Sequence, residues 1–291
     1  MIKIYGKEIK FETFPNNETR LNEASIWEAI KSMPFSHKDI LITLTYENDI
    51  DLVRLGFIKK YLDTELSQDF RKILVITYMP YSRMDRVERK GNGVGNAFTL
   101  KYVADFINSL YFDCVAVIQP HSDVTMGLLN KSFRIEATKT LAEKLMEDLD
   151  FDSNKDLIYY PDGSSYKNLS KFFRNKKELI AYKQRNFDTG EILGVTIVGD
   201  SICKNESRVI MVDDLICGGR TFIEGAKKLK KMGVKEIYVV TAHSEPVMFE
   251  RDLFKTEEIT KVITTDSILK NGEDEKLEIV SCEDVIRNHG I

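Results

Sequence analysis

The 291-residue sequence predicts an α/β protein built on mainly parallel sheet. Short apolar runs rich in β-branched residues recur along the chain, with helical patterns between them. Hydrophobicity in these runs is continuous rather than alternating, which is typical of strands that are covered on both faces. The predicted strands are 39–44, 72–78, 114–119, 156–161, 178–182, 208–214 and 236–243.

Two of the segments between these strands carry apolar residues at every third or fourth position, the spacing of one helix face. We therefore expect helices that pack their apolar faces on the sheet. The residues that define them are Leu100, Val103, Ile107 and Leu110 in the first segment, and Phe222, Ala226, Leu229 and Met232 in the second.

With 43% apolar residues, 30% charged residues and a formal net charge of −4, the composition is that of a globular protein. This charge gives no general attraction to nucleic acid or anionic membrane, so any anion site must be local. The four cysteines lie far apart, which indicates free thiols in a reducing compartment. Residues 1–11 alternate like a strand rather than a signal peptide, and no run could span a bilayer, so we expect a cytoplasmic protein.

A strand–helix–strand pattern with a polar tip occurs twice, ending at "QPHSD" (119–123) and at "TAHSEP" (241–246). Two related tandem domains, 1–135 and 136–291, would produce this repetition. The polar stretch 81–96 is long for a connector within a compact unit, so it is either a functional loop or locally disordered.

The stretch "VIMVDDLICGGRTFIEGAKKL", residues 209–229, combines a strand, a two-glycine turn and an amphipathic helix. Asp213 and Asp214 fall at the carboxyl end of the strand, where ligands bind in open α/β sheets. Gly218 and Gly219 allow a turn with positive φ and a close approach of the backbone to a ligand. The N–H groups of the helix N-terminus favour an anion at the same place.

A sugar phosphate would satisfy both halves of this pattern. Because carboxylates repel a phosphate, Asp213 and Asp214 are expected to accept hydrogen bonds from ribose hydroxyls or to lie near a metal ion. The phosphate would bind the backbone N–H groups of the turn. The alternative is a strand–turn–helix whose acids only cap the helix and face solvent.

This stretch resembles the phosphoribosyl-diphosphate (PRPP) binding motif of type I phosphoribosyltransferases and of ribose-phosphate pyrophosphokinases, also called PRPP synthetases. The resemblance implies two tandem phosphoribosyltransferase-like domains, each a mainly parallel sheet flanked by helices. It also implies that the ribose phosphate binds to Asp213, Asp214, Cys217, Gly218, Gly219, Arg220 and Thr221.

The segment "PYSRMDR", residues 80–86, is similar to the ATP loop of the pyrophosphokinases. Arg83 and Arg86 supply planar guanidinium groups that match triphosphate oxygens, and the resemblance places Asp85 in the same ATP site. This loop and the doubled fold favour the pyrophosphokinases over the single-domain phosphoribosyltransferases. The alternative is a charged loop that is merely solvated.

Two further segments at predicted strand ends resemble metal-side segments of that family. "QPHSD" places His121 at the ATP-bound magnesium, and "YPDGSS" (160–165) places Asp162 as a second metal-side ligand. The resemblance thus implies Mg²⁺ as cofactor and ATP as co-substrate. The alternative for His121 is a structural histidine whose hydrogen bonds are satisfied within the fold.

The segment "IAYKQRN", residues 180–186, matches a family segment at Lys183 and Arg185. Their positive charges would stabilise the diphosphoryl group during transfer, although lysine-rich surroundings also allow a solvated face. "FPNNE" (14–18) resembles a family loop that reaches an adenine held by a neighbouring subunit. In that reading Phe14 stacks on the adenine, Asn16 and Glu18 hydrogen-bond to it, and the chain forms a dimer or hexamer of identical subunits.

The turn departs from the usual family sequence. Cys217 replaces an acid, Gly218 a threonine and Arg220 a glycine, which makes this pocket more positive by two charges. The added positive charge would suit a second phosphate. It therefore favours a larger acceptor such as ADP-ribose, as in synthetase-like proteins of NAD salvage that resemble this turn. The alternative is that Arg220 points into solvent.

The resemblance implies a kinase that moves the β,γ-diphosphate of Mg-ATP to the anomeric hydroxyl of a ribose 5-phosphate unit. The products are AMP and a 1-diphosphate, either PRPP or ADP-ribose pyrophosphate. Two other readings stay open: a phosphoribosyltransferase that consumes PRPP, and a non-catalytic regulatory subunit. Nucleic acid and membrane are not expected among the partners.

Overall fold

The structure, a computed structural model, describes residues 1–32, 38–89, 95–185 and 192–291. The side chains of 183–185 and 192–195 lie outside the described part as well. The chain divides into two compact units, Met1–Ile135 and Glu136–Ile291, and each unit contains its own sheet. In the described ranges, no helix has the length and apolar character needed to cross a membrane.

The first unit begins with short strands and continues as alternating strands and helices. Its strands are β1 (Ile2–Ile4), β2 (Lys7–Glu8), β3 (Phe11–Thr13), β4 (Thr19–Leu21), β5 (Asp39–Leu44), β6 (Arg71–Ile76), β7 (Cys114–Ile118) and β8 (Ser132–Ile135). Its helices are α1 (Glu23–Lys31), α2 (Ile50–Glu65), α3 (Thr99–Ser109) and α4 (Asp123–Leu128).

Within the described residues, this unit has a sheet of 6 strands in the order β2-β1-β5-β6-β7-β8. Strands β5 to β8 are parallel, whereas β1 and β2 join antiparallel at one edge. Strands β3 and β4 form a separate antiparallel hairpin. Because β6 and β7 are parallel neighbours, the loops that follow them emerge at the same edge of the sheet.

The second unit follows the same alternation. Its strands are β9 (Leu157–Tyr160), β10 (Lys177–Arg185), β11 (Ile192–Gly199), β12 (Arg208–Ile216), β13 (Glu236–Ser244), β14 (Lys261–Thr265) and β15 (Leu277–Val280). Its α-helices are α5 (Ala137–Asp148), α6 (Gly163–Leu169), α7 (Arg220–Lys231) and α8 (Cys282–Asn288), with short 3-10 helices at Ser170–Phe172 and Pro246–Glu250.

Over its described residues, the second unit has a sheet of 7 strands in the order β11-β10-β9-β12-β13-β14-β15. All neighbours are parallel except β11, which is antiparallel to β10. Both faces of the sheet are buried: in β9, Leu157 and Tyr159 pack in the core with α7, and Ile158 and Tyr160 pack in the core with α5. This two-sided burial is the reason for the continuous hydrophobic runs.

The predicted fold class is confirmed: the chain has mainly parallel sheets flanked by helices. Each apolar run predicted as a strand is one, and both predicted helices form as α3 and α7, with Leu110 and Met232 as their C-cap residues. The short strands β8 and β15 and the antiparallel β11 were not predicted. Strand β12 also runs through Asp213 and Asp214 to Ile216, so the acids lie in the strand rather than after it.

Candidate functional site

The paired acids of the second unit lie in the second half of β12, with Asp213 opposite Thr241 of β13. The backbone N–H of Asp214 donates a hydrogen bond of 2.9 Å to Oδ1 of Asp213. Thr138, near the start of α5, is fully buried, donates to the carbonyl oxygen of Asp213 at 2.9 Å and accepts from the N–H of Ala242 at 3.1 Å. This threonine therefore fixes the backbone of the acid pair against the next strand.

Burial raises the pKa of the Asp213 carboxyl well above its usual value, and the charges of Asp214 and Asp162 raise it further. Asp162 follows β9, the parallel neighbour of β12, so its carboxylate acts on the pair from the same edge of the sheet. Negative charge is thus concentrated here. Hydroxyl donors or a cation would relieve the repulsion, whereas a phosphate would increase it.

We expect Asp213→Asn to be more stable than the wild type at neutral pH. Because the folded state holds the Asp213 proton more tightly, its contribution to the free energy of unfolding falls as the pH rises above the ordinary value of 3.8. The stability difference should therefore shrink toward acid pH. Denaturation midpoints between about pH 4 and pH 8, without divalent cations, measure it.

The exposed Asp105 provides the control for this experiment, and Asp105→Asn should leave the midpoint unchanged. An Asp213→Asn protein that is less stable than the wild type at neutral pH contradicts this electrostatic account.

The turn after β12 leads directly into α7. Gly219 is the N-cap of this helix and has a φ of 75°, a left-handed conformation that glycine adopts without strain. Gly218 does not have a positive φ, so only one of the two glycines is needed for its backbone freedom. The N-cap residue Gly219 has no side chain that could cap α7, and the N-terminus of a helix favours an anion.

The side chains around this turn differ in exposure. Cys217 and Arg220 are exposed, and Thr221 is half-buried in the first turn of α7. The Arg220 guanidinium is 82% exposed and donates from Nε to Oε1 of Glu224, one helical turn later, at 2.7 Å. The positive charge of Arg220 is therefore partly neutralised by Glu224 of the same helix and does not act on the turn alone.

A segment after β13 packs on the turn, and the sequence gave no signal of it. A β-carbon placed on Gly219 would lie 2.9 Å from Cδ1 and 3.1 Å from Cβ of the buried Leu253. A β-carbon on Gly218 would lie 3.4 Å from Cγ and 3.9 Å from Nε of Arg251. The absence of side chains at both glycines thus allows this segment to approach the turn closely.

Asp162 has a local role in addition to the predicted one. It is the N-cap of α6, and its Oδ1 accepts hydrogen bonds from the N–H groups of Ser164 (3.0 Å) and Ser165 (3.1 Å). The residues that follow Asp162 in "YPDGSS" therefore form the first turn of a capped helix. A diphosphate could bind those two N–H groups only by replacing the bonds to Asp162.

The predicted catalytic cations lie on β10. The backbone of Lys183 pairs with Val195 of β11, and Arg185 pairs with Ile192 after a bulge. The side chains of Lys183 and Arg185 lie outside the described part of the structure, so their roles stay predictions.

The predicted ATP loop follows β6 at the carboxyl edge of the first sheet. Its start is fixed, because Ser82 is buried and Tyr81 (φ 60°) donates from its hydroxyl to Oδ1 of Asp49 at 2.6 Å. Hydrogen bonds from Tyr81 and then Tyr46 lower the pKa of Asp49. Beyond this anchor the side chains of Arg83 and Arg86 are exposed, whereas Asp85 is half-buried.

The Arg86 guanidinium forms an exposed ion pair of 2.6 Å with Glu88, and an isolated bridge joins Arg89 to Gly95. Residues 90–94 of the predicted functional loop lie outside the described residues.

His121 follows β7 and is half-buried at the same edge as the ATP loop. The residue two positions earlier, Gln119, has a φ of 39°, and its N–H donates to the carbonyl oxygen of Ile135 at 2.8 Å. In the described ranges, no three His, Cys, Asp or Glu side chains converge to hold a metal ion by themselves.

The predicted adenine loop is the tip of the β3–β4 hairpin. Two hydrogen bonds close this turn. The backbone N–H of Phe14 donates to the carbonyl oxygen of Glu18 at 2.8 Å, and the backbone N–H of Glu18 donates to Oδ1 of Asn16 at 3.2 Å. The Phe14 side chain is 44% exposed, a large apolar surface at a protruding tip.

The structure thus groups the predicted residues by sheet edge. Asp162, Asp213, Asp214 and the 217–221 turn lie at the carboxyl edge of the second sheet, where Asp162 and Asp214 act electrostatically on Asp213. The 80–86 loop and His121 lie at the carboxyl edge of the first sheet.

Comparison with known proteins gives consistent results. Residues 183–286 match the family model described as phosphoribosyl synthetase-associated domain. A ribose-phosphate pyrophosphokinase of Pyrococcus abyssi is 25% identical, over 92% of this chain and 91% of its own length. A Streptococcus pyogenes protein provisionally named ribose-phosphate pyrophosphokinase 2 is 27% identical over 73% of this chain, and the match spans 64% of that relative's length.

The crystal structure of phosphoribosylpyrophosphate synthetase from Mycobacterium smegmatis superimposes with a TM-score of 0.72 at 17% identity, covering 97% of this chain and 89% of that one. This likeness concerns the fold. The family-model match and the relatives make this chain similar to ribose-phosphate pyrophosphokinases (PRPP synthetases), and this similarity agrees with the strand–turn–helix motif of β12 and α7.

Proposed function

We propose that the protein is a diphosphotransferase that uses ATP and a ribose 5-phosphate unit. The anomeric hydroxyl oxygen of the ribose attacks the β-phosphorus of ATP, and the bond from that phosphorus to the oxygen bridging the α- and β-phosphates breaks. AMP leaves with that oxygen, the hydroxyl proton is released, and the sugar gains a 1-diphosphate. Such a reaction needs alignment and charge stabilisation from the protein rather than covalent chemistry.

The observation that carries this proposal is the division of charge at the end of β12. Asp213 and Asp214 concentrate negative charge that suits ribose hydroxyls, while a few residues later the N-terminus of α7 presents backbone N–H groups that suit a phosphate. A ribose that carries two vicinal hydroxyl groups on its ring and a phosphate on C5 meets both requirements. We therefore assign the acceptor site to the second unit and the ATP loop to the first.

In this proposal Arg83, Asp85, Arg86 and His121 bind ATP, with Phe14, Asn16 and Glu18 reaching the adenine of a neighbouring subunit. Lys183 and Arg185 stabilise the transferring group. The exposed arginines of the ATP loop and the exposed Phe14 support these roles, because each side chain is accessible to a ligand.

The residues present suit a magnesium ion. Mg²⁺ prefers oxygen ligands and is commonly held by one or two carboxylates together with water and substrate phosphates, so a cluster of protein ligands is not needed. The concentrated charge of Asp162, Asp213 and Asp214 fits a divalent cation, and we propose Asp162 as its ligand in the second unit, with His121 as the metal-side residue of the first. When bound, the ion would neutralise phosphate charge during transfer.

The acceptor is proposed to be larger than ribose 5-phosphate, with ADP-ribose as the specific candidate. Replacement of an acid by Cys217 and of a glycine by Arg220 makes the turn more positive, and both side chains are exposed. A second phosphate extending outward from the turn would meet these exposed positions. This acceptor would place the enzyme in NAD salvage.

AMP release from ATP tests the proposed function. We expect release that depends on Mg²⁺ and on a phosphorylated ribose acceptor, with a higher kcat/KM for ADP-ribose than for ribose 5-phosphate. A strong preference for ribose 5-phosphate would end the ADP-ribose assignment but keep the kinase. Absence of AMP with every acceptor would contradict the kinase and favour the phosphoribosyltransferase or regulatory readings, which a PRPP consumption assay separates.

A further inference from the structure

Arg251 lies outside the motif but packs against the proposed acceptor turn. Its stem crosses Gly218, with Cγ and Nε at 3.4 and 3.9 Å from the position that a β-carbon of Gly218 would take. At these distances its guanidinium lies beside the turn that precedes α7. Arg220 belongs to the motif, yet its guanidinium pairs with Glu224 on the helix surface.

The position of Arg251 is fixed by its neighbours in the segment Pro246–Phe254. Met248 and Leu253 are fully buried, and Leu253 packs directly on Gly219. Phe249 and Phe254 stack with ring centroids 5.2 Å apart. These contacts on both sides anchor the segment that carries Arg251, while the Arg251 side chain itself is exposed and accessible to a ligand.

The charges near the turn are unbalanced. The N-terminus of α7 carries a partial positive charge of about half a unit, and its N-cap residue Gly219 has no side chain to cap it. No carboxylate in the described part of the chain forms an ion pair with the Arg251 guanidinium. The neighbouring acid Asp252 pairs with Lys255 instead, at 3.3 Å. The N-terminus of α7 and the Arg251 guanidinium are both positive, so they repel each other. An anion bound between them would be attracted by both groups.

We propose that Arg251 binds the phosphate on C5 of the ribose acceptor, as the cation that complements the N–H groups of the 217–221 turn. This inference rests on the proposed function and adds a residue that determines acceptor affinity. Both candidate acceptors carry a phosphate on C5, so the shared chemistry is a phosphate ester of ribose. A guanidinium matches phosphate oxygens with two parallel hydrogen bonds.

The test combines acceptor kinetics with binding measurements on the full-length protein. For Arg251→Gln we expect the KM for the acceptor to rise by about tenfold or more, as for loss of a charge-assisted hydrogen bond, while the KM for ATP stays unchanged. Arg251→Lys should restore part of the affinity. Lys255→Gln removes a charge from the residue directly after the segment Pro246–Phe254 and is the matched control, with an expected KM equal to wild type.

Titration calorimetry with ribose 5-phosphate and with ADP-ribose makes the test independent of turnover. Weaker binding of both acceptors to Arg251→Gln supports the proposal, and weaker binding of ADP-ribose alone would move Arg251 to the second phosphate and overturn it. Equal affinities of wild type and Arg251→Gln also overturn it, while the kinase activity stands. If wild type releases no AMP but binds ribose 5-phosphate through Arg251, the proposed function fails and this inference holds. If wild type binds neither acceptor, the inference fails as well.

Discussion

Lys183→Ala is expected to lower turnover by about a hundredfold or more with the fold intact, since loss of one preorganised charge partner costs on the order of 3 kcal/mol in the barrier. The diphosphoryl group spreads negative charge over several oxygens as it leaves AMP, and a lysine fixed on a strand can stabilise that charge without rearranging. Lys183 lies within the part of β10 that pairs with β11, opposite Val195. The residues before and after it in β10 also pair with β11, so the substitution should leave the strand in place.

The measurement is steady-state AMP release at saturating ATP and acceptor, with circular dichroism to confirm the fold. Lys177 is the matched control because it lies at the start of the same strand and its Nζ donates to the backbone carbonyl oxygen of Asn154 at 2.6 Å. Lys177→Ala should therefore keep its turnover. Near wild-type turnover of Lys183→Ala would remove this lysine from the mechanism.

Gly219→Ala is expected to destabilise the protein by roughly 2–5 kcal/mol, the sum of a backbone and a packing contribution. A φ of 75° costs an alanine about 1–2 kcal/mol, because its β-carbon crowds the following carbonyl group. The same β-carbon would lie 2.9 Å from Cδ1 of Leu253, closer than two carbon atoms can approach, so the buried leucine or the turn must move.

Chemical denaturation measures this loss, and Gly218→Ala is the matched control. Gly218 lacks a positive φ, and its nearest neighbour would be Arg251 Cγ at 3.4 Å, so its substitution should cost no more than about 1 kcal/mol. The double variant Gly219→Ala/Leu253→Ala should recover the part of the packing loss that comes from the Leu253 Cδ atoms, which a double-mutant cycle separates. Equal losses for the two glycine substitutions would falsify this account of the turn.

The strands could be predicted from the sequence because burial on both faces leaves a continuous apolar run. The run 156–161 is one example: Leu157 and Ile158 face opposite cores, and neither position can be polar. Strand β8 escaped prediction because it is a short edge strand, Ser132–Ile135, in which only Ile135 is buried and no continuous apolar run forms. Strand β11 was missed although its sequence, "ILGVTIVG", is rich in β-branched residues, and its antiparallel pairing with β10 is not encoded in that run.

For the candidate site, the sequence predicted which acids and glycines take part, but not which other groups their side chains and backbone contact. It could not show that Asp162 caps α6, because the same acid in the same motif can cap a helix or hold a metal. It also could not show that Arg220 pairs with Glu224, since a helical spacing of four residues permits the pair without requiring it.

By itself, the sequence determined the α/β class and the order of charged and flexible groups around β12, because these depend on neighbours along the chain. Tertiary structure decided which distant side chains meet that turn. Leu253 and Arg251 reach the glycines only because β13 runs parallel to β12 and ends beside it, which brings the following segment back over the start of α7. Contacts of this kind depend on distances between atoms far apart in the chain, and no local pattern of residues encodes them.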